Sequence, residues 1–137
     1  MNHYAFSSLI VAGGEFSEGY TPEWFADDLV ARLKQNSGSV PDVILISSDR
    51  LIREALKKAC QEWPKLGEKK EIVLDGPGWS NWAKFTLDYL GDCYPQKTVL
   101  FILAFDEMQR LCEILESDKK PKATVAEKVN FSITYFK

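Results

Sequence analysis

The sequence has few residues of the kinds that build disulfide frameworks or metal centres, and it has no long apolar run. Its three cysteines are an odd number and include no Cys-x-x-Cys pair, which argues against a disulfide scaffold or a zinc site. The single histidine is His3, and no Gly-x-Ser-x-Gly motif is present, so we expect no Ser-His-Asp chemistry. No stretch approaches the ~20 apolar residues of a transmembrane helix, and the first residues lack the pattern of a signal peptide. We therefore expect a cytoplasmic protein that does not enter a membrane.

The chain also lacks an excess of basic charge. Its 17 lysines and arginines are outnumbered by 20 aspartates and glutamates, and the net charge is −3. Tight binding to nucleic acid without sequence preference needs a basic surface that displaces counterions from the phosphates. We therefore do not expect nucleic acid as a partner.

What the sequence does contain is a regular alternation of short apolar runs and amphipathic segments. The runs typical of buried strands are Ser8–Ala12, Val43–Ile46, Ile72–Leu74, Thr98–Phe105 and the alternating run Val129–Phe136. The resulting order, β-α-β-α-β-α-β-α-β, predicts one α/β domain over residues 1–137. We expect a three-layer, doubly wound, mostly parallel five-stranded sheet with helices on both faces, similar to P-loop and Rossmann domains.

Local signals indicate where the helices begin and which faces they bury. Thr21 is expected to cap the first helix, and either Ser48 or Asp49 the second. Cys60 and Cys112 fall on apolar helical stripes, where a free cysteine behaves as a small buried hydrophobe.

Aromatic residues mark the third predicted helix. Trp82, Phe85 and Tyr89 mark it together with Leu90, and we expect Trp82 to pack in the core with Phe85 and Tyr89. Trp79 precedes them and has two interpretations. It is either a further core residue or an exposed anchor for a protein partner.

The loop after the first strand contains a recognisable pattern. In doubly wound sheets, ligands bind beyond the carboxyl ends of the strands, and residues 14–21 at that position are GEFSEGYT. The phosphate-binding loop has the form G-x-x-x-x-G-K-[ST], and its backbone N–H groups surround the phosphates. Gly14, Gly19 and Thr21 match this form, whereas Tyr20 occupies the position of the lysine.

A second segment has the form of the magnesium-binding strand of such proteins. The longest apolar run ends in ILAFDE, so that Asp106 and Glu107 directly follow a buried strand. With these two motifs the chain resembles a degenerate P-loop NTPase-like domain. It is similar to the inactive STAND-like domains of bacterial signalling and conflict systems and to the non-hydrolysing subunits of clamp-loader-type ATPases. The resemblance implies a regulatory or adaptor scaffold kept for protein–protein interaction.

The missing lysine decides what we expect of the chemistry. Tyr20 is neutral at pH 7 and cannot replace a cation, and Glu15 and Glu18 add negative charge to the loop. We therefore expect no hydrolysis of ATP or GTP, no catalytic residue and no resident cofactor. If a nucleotide or Mg²⁺ does bind, the expected ligand-binding residues are Gly14, Gly19, Tyr20, Thr21 and Asp106.

The acidic residues that follow the strands leave an enzymatic alternative open. Together with Glu15 they could form an acidic cluster that binds Mg²⁺, as in two-metal nucleases. The candidate metal ligands are Asp49, Asp75, Asp106 and Glu107. The chain would then be a Mg²⁺-dependent phosphoesterase or nuclease, or a weak nucleotide-binding domain. The segments around Asp49 and Asp75 resemble parts of PIN- and NYN-type nucleases, but in reverse order along the chain. We favour a structural explanation, in which Asp49 caps a helix and Asp75 forms a turn.

Overall fold

The elements of the chain alternate between strands and helices. The computed structural model describes residues 8–36, 40–74, 79, 83–119 and 130–135. In chain order the elements are β1 (Ser8–Gly14), α1 (Pro22–Asn36), β2 (Val43–Ser47), α2 (Arg50–Glu62), α3 (Pro64–Gly67), β3 (Lys70–Leu74), α4 (Ala83–Cys93), β4 (Thr98–Ala104), α5 (Phe105–Lys119) and β5 (Asn130–Tyr135).

The strands form one sheet in the order β3-β2-β4-β1-β5, and every pair in it is parallel. β1 and β4 are neighbours along their whole length, from Ser8 opposite Thr98 to Gly14 opposite Ala104. The predicted α/β architecture with a mostly parallel sheet is confirmed. Because parallel strands must be joined by crossovers, a helix lies between successive strands wherever the connection is described.

Side chains on the central strands are buried on both faces of the sheet. On β1, Leu9 and Val11 contribute to one core, and Ile10 and Ala12 to the other. Helices α4 and α5 cover the first core with Leu87, Leu90, Met108 and Leu111. Helices α1, α2 and α3 cover the second with Phe25, Leu29, Ile52, Leu56 and Leu66. This double cover explains why the central strands are continuously apolar rather than alternating.

The helix starts follow the local signals. The Thr21 hydroxyl accepts a hydrogen bond from the Trp24 amide at 3.4 Å. Of the two candidate caps of α2, Asp49 is the one used. Its Oδ1 accepts from the amides of Leu51 at 2.9 Å and Ile52 at 3.1 Å.

Three details differ from the expectations. Tyr89 is 60% exposed, so its predicted place in the core is wrong, because Leu87 is buried beside the predicted Leu90 on the inner face of α4. β4 ends at Ala104, and Phe105 already belongs to α5. The short helix α3 was not predicted. Trp82, Asp75 and the side chain of Phe85 lie outside what the structure describes.

The free cysteines lie at intermediate depth or at the surface. Cys60 and Cys112 are half-buried against the two cores, as their helical stripes predict, and Cys93 is exposed. Burial and the nearby Glu71 carboxylate raise the pKa of the Cys60 thiol.

Among the described helices, none combines the length and the apolar character needed to cross a membrane.

Candidate functional site

The strand order creates a crevice between the carboxyl ends of β2 and β4. The chain leaves β2 for β3 at one edge of the sheet, whereas it leaves β4 for β5 at the other edge. Two adjacent strands whose connections diverge in this way mark the point where open α/β sheets bind ligands. A pocket of about 320 Å³ lies there, between the segments that follow β1, β2 and β4.

The pocket, which we call the acidic crevice, is lined by carboxylates and apolar side chains. Glu15, Asp49 and Asp106 supply the charge, and they alternate with apolar residues that include Phe16, Ile52 and Phe105. No lysine or arginine is among its lining residues. All three carboxylates are exposed, so the crevice presents negative charge where an anionic phosphate would need a cation.

The loop between β1 and α1 is closed on itself by backbone hydrogen bonds. The Ser17 amide donates to the Tyr20 carbonyl at 3.0 Å, and the Tyr20 amide donates to the Ser17 carbonyl at 3.1 Å. These bonds form an isolated antiparallel bridge around a tight turn at Glu18 and Gly19. In a phosphate-binding loop such amides point inward at the anion. Here two of them are used within the loop.

Tyr20, at the position of the phosphate-binding lysine, is directed at helix α1. Its hydroxyl donates to Asp28 Oδ2 at 3.0 Å. Its ring lies 6.4 Å from the Phe16 ring in a stacked arrangement and 6.5 Å from the Phe25 ring, edge on. Burial, together with the Asp28 carboxylate, raises the pKa of Tyr20 well above its ordinary value. The side chain therefore belongs to an aromatic cluster and does not line the acidic crevice.

The glycines of this region serve packing. A Cβ atom on Gly14 would lie 2.6 Å from Phe25 Cδ2, and one on Gly13 would lie 2.5 Å from Met108 Sδ. Both glycines therefore let a helix approach the end of β1 closely. A Cβ on Gly19 would meet nothing within 4 Å. The sequence pattern singled out Gly14 and Gly19. In the structure, close packing requires a glycine at positions 13 and 14 but not at position 19.

Glu107 ties the start of α5 to Trp79. Its Oε1 accepts from the Ala104 amide at 3.0 Å, and its Oε2 accepts from the Trp79 indole N–H at 2.6 Å. The Trp79 ring is half-buried and stacks on Phe101 with 6.3 Å between centroids. Both residues are therefore engaged in internal contacts. Of the two interpretations of Trp79, the core one fits this placement.

The structure brings together only part of the predicted site. Gly14 and Asp106 line the same crevice, whereas Gly19, Tyr20 and Thr21 do not. Of the metal candidates, Asp49 and Asp106 face the crevice and Glu107 does not, and Asp75 lies outside the described residues. Within the described ranges, no group of three or more His, Cys, Asp or Glu side chains could hold a metal ion.

Sequence reasoning missed the partners that hold the loop. Asp28 and Phe25 carry no motif, and only the folded chain places them beside Tyr20. The sequence raises the same question for Trp24 as for Trp79, whether the side chain is buried or exposed, and Trp24 is 63% exposed at the start of α1. No family model, no curated protein and no solved structure matches this chain.

Proposed function

We propose that this chain is a non-catalytic regulatory or adaptor domain that binds another protein, on a degenerate P-loop-like scaffold with a five-stranded sheet. The observation that carries the proposal is the closed β1–α1 loop. The paired backbone bonds of Ser17 and Tyr20, and the bond from Tyr20 to Asp28, engage these groups within the protein, so that they are not available to a phosphate.

Two further observations support a P-loop-like scaffold without its chemistry. β1 and β4 are adjacent, as the resemblance requires, so that Gly14 and Asp106 meet at one crevice. The crevice carries three carboxylates and no basic lining residue, which disfavours a nucleoside triphosphate. A large exposed aromatic side chain, Trp24, remains on the surface close to this loop, and such residues often anchor protein partners.

The enzymatic alternative gains no specific support. A Mg²⁺-dependent phosphoesterase or nuclease needs several free carboxylates that converge on one point. Both oxygens of Glu107 accept hydrogen bonds from the protein, and Asp49 caps α2.

A thermal-shift titration with ATP, GTP and ADP, with and without Mg²⁺, tests the absence of nucleotide binding. We expect no shift. Ligand at a hundred times its dissociation constant would stabilise a binding domain by about 2.7 kcal/mol, which is several degrees. A shift of that size that is abolished by Gly19→Asp would show that the loop holds phosphate, and the proposal would be wrong.

A site-specific cross-linking experiment tests the protein-binding role. A photoreactive amino acid at position 24 should capture a protein partner that the same group at exposed position 97 does not. The captured protein, purified and mixed with the chain, should bind it, and Trp24→Ser should weaken the complex. A chain that captures no partner from position 24 would argue against an interaction through this surface.

A further inference from the structure

A second concave surface lies on the other side of α2 from the acidic crevice. This groove has a volume of about 510 Å³ and runs between α2 and the β3 edge of the sheet. Leu56 and Cys60 contribute apolar area to it, and Glu71 of β3 contributes to the opposite wall. We call this surface the α2–β3 groove. It has the volume of a ligand site, and none of the predicted site residues lines it.

One wall of the groove is a strand with a free edge. β3 is the last strand in the sheet order, and among the described strands it pairs only with β2. Its first two residues, Lys70 and Glu71, are exposed. The outer edge of such a strand carries N–H and C=O groups without sheet partners, and an extended peptide can pair with them.

The other wall of the groove carries basic charge. Arg50, Arg53 and Lys57 of α2 all line it. Arg50 is neutralised by an ion pair with Glu54 at 3.2 Å. Arg53 and Lys57 are exposed and form no ion pair with another described residue. The groove is therefore lined by three basic and two acidic side chains, and Arg53 and Lys57 are its cations without an ion-pair partner among the described residues.

The spacing of the two cations matches that of a strand. Arg53 and Lys57 are four residues apart on one helix, which separates them by about 6 Å along its axis. Side chains on one face of a strand recur every two residues, or about 6.7 Å. In a strand that pairs with the outer edge of β3, every second side chain would lie on the face of the sheet that α2 covers. Glu71 lies on the same face. Carboxylates at alternate positions would then meet Arg53 and Lys57.

We infer that the α2–β3 groove binds an extended acidic segment of a partner protein, which adds as a strand to the free edge of β3 and pairs alternate carboxylates with Arg53 and Lys57. This inference rests on the proposed adaptor function and names the surface and the chemistry of the partner. The net charge of −3 disfavours nucleic acid, whose binding needs a broad basic surface.

Peptide binding to the full chain tests the inference. The probe is a fluorescent nine-residue peptide with blocked ends, in which glutamate and valine alternate. A control peptide has the same composition with its glutamates contiguous, and a single-stranded DNA oligonucleotide tests the other class of anion. Fluorescence anisotropy gives affinities, and amide chemical shifts locate the bound peptide. We expect the alternating peptide to bind at least tenfold more tightly than the control and to shift the amides of residues 70–74.

Charge variants separate the groove from general electrostatics. Arg53→Glu and Lys57→Glu should each weaken peptide binding about tenfold, whereas Lys97→Glu, an equal change of charge at an exposed residue outside the groove, should change it less than twofold. Glu71→Gln should tighten binding, because it removes a like charge facing the peptide. Bound peptide should also slow the alkylation of Cys60 but not that of the exposed Cys93, measured by mass spectrometry.

Three results would overturn the inference. They are unchanged binding in Arg53→Glu and Lys57→Glu, chemical shifts that leave residues 70–74 unaffected, and tighter binding of the oligonucleotide than of the alternating peptide. If any of these results is obtained and nucleotides cause no thermal shift, the inference about the α2–β3 groove is wrong, whereas the adaptor proposal still stands. A nucleotide-induced shift would instead remove the adaptor proposal.

Discussion

The two concave surfaces beside α2 differ in charge and in how strongly they are tied to the rest of the fold. The acidic crevice at the start of α2 is built from residues that also cap helices or border packed aromatic rings. The α2–β3 groove along the side of the same helix is lined mostly by exposed side chains, two of them cations without ion-pair partners in the described part of the chain. The difference indicates that the residues of the crevice stabilise the fold, whereas the exposed side chains of the groove are available to bind a partner.

The largest expected effect is at Gly14, under the crevice. Gly14→Ala places a Cβ atom 2.6 Å from Cδ2 of Phe25, which is fully buried, so we expect a loss of about 2 kcal/mol in the free energy of unfolding. Urea denaturation measures it. Gly19→Ala is the matched control, because its Cβ meets no atom within 4 Å, and it should change stability by less than about 0.5 kcal/mol. Equal effects at the two glycines would contradict the assigned packing role of Gly14.

The next effect is at Asp49, which lines the crevice and caps α2. Asp49→Ala removes the acceptor for the amides of Leu51 and Ile52 and should cost about 1 kcal/mol. Thermal unfolding should show a decrease in Tm of several degrees. Ser48→Ala changes the neighbouring candidate cap, which α2 does not use, and should leave Tm within about one degree. A decrease in Tm with Ser48→Ala and none with Asp49→Ala would reverse the assignment of the cap.

A similar or smaller effect is expected at Tyr20, which closes the loop beside the crevice. Tyr20→Phe keeps the aromatic packing and removes the bond to Asp28, at a cost of about 1 kcal/mol near neutral pH. The raised folded-state pKa of Tyr20 makes this contribution depend on pH. It is fully present below the unfolded-state pKa of about 10 and is lost as the pH rises toward the folded-state value. The stability gap between wild type and Tyr20→Phe should therefore be constant from about pH 7 to 9 and narrow above about pH 10. A gap that is absent at pH 7 would show that the hydroxyl is not bonded to Asp28.

The smallest effects on stability should come from the groove. Arg53→Ala and Lys57→Ala remove exposed side chains without ion-pair partners in the described structure, so each should change the unfolding free energy by less than about 0.5 kcal/mol. Denaturant unfolding of both variants and of Asp49→Ala compares the loss of unfolding free energy at the groove with the loss at the crevice. A loss above about 1 kcal/mol in either groove variant would mean that these side chains are structural, and the distinction between the two surfaces would fail.

Local sequence signals were sufficient for the strands, for every longer helix and for several of their ends, but not for the short helix α3. The apolar runs predicted the strands, and the choice between Ser48 and Asp49 for the cap of α2 contained the residue that the structure uses. Periodicity was insufficient for α4. The apolar spacing included both Tyr89 and Leu90. Leu90 is buried, but Leu87 faces the core where Tyr89 was expected to do so. A short helix with apolar residues on two sides does not define which side is buried.

The sequence by itself determined that strands and helices alternate and that the central strands are covered on both faces, because these properties follow from periodicity and from capping residues close together in the chain. Only the tertiary structure decided that β1 lies beside β4, that Tyr20 bonds to Asp28, and that Glu107 bonds to Trp79. It also decided that β3 lies at an edge beside the basic side chains of α2. Strand order and partner choice depend on contacts between residues far apart in the chain, and no local pattern encodes which distant segment will supply the partner.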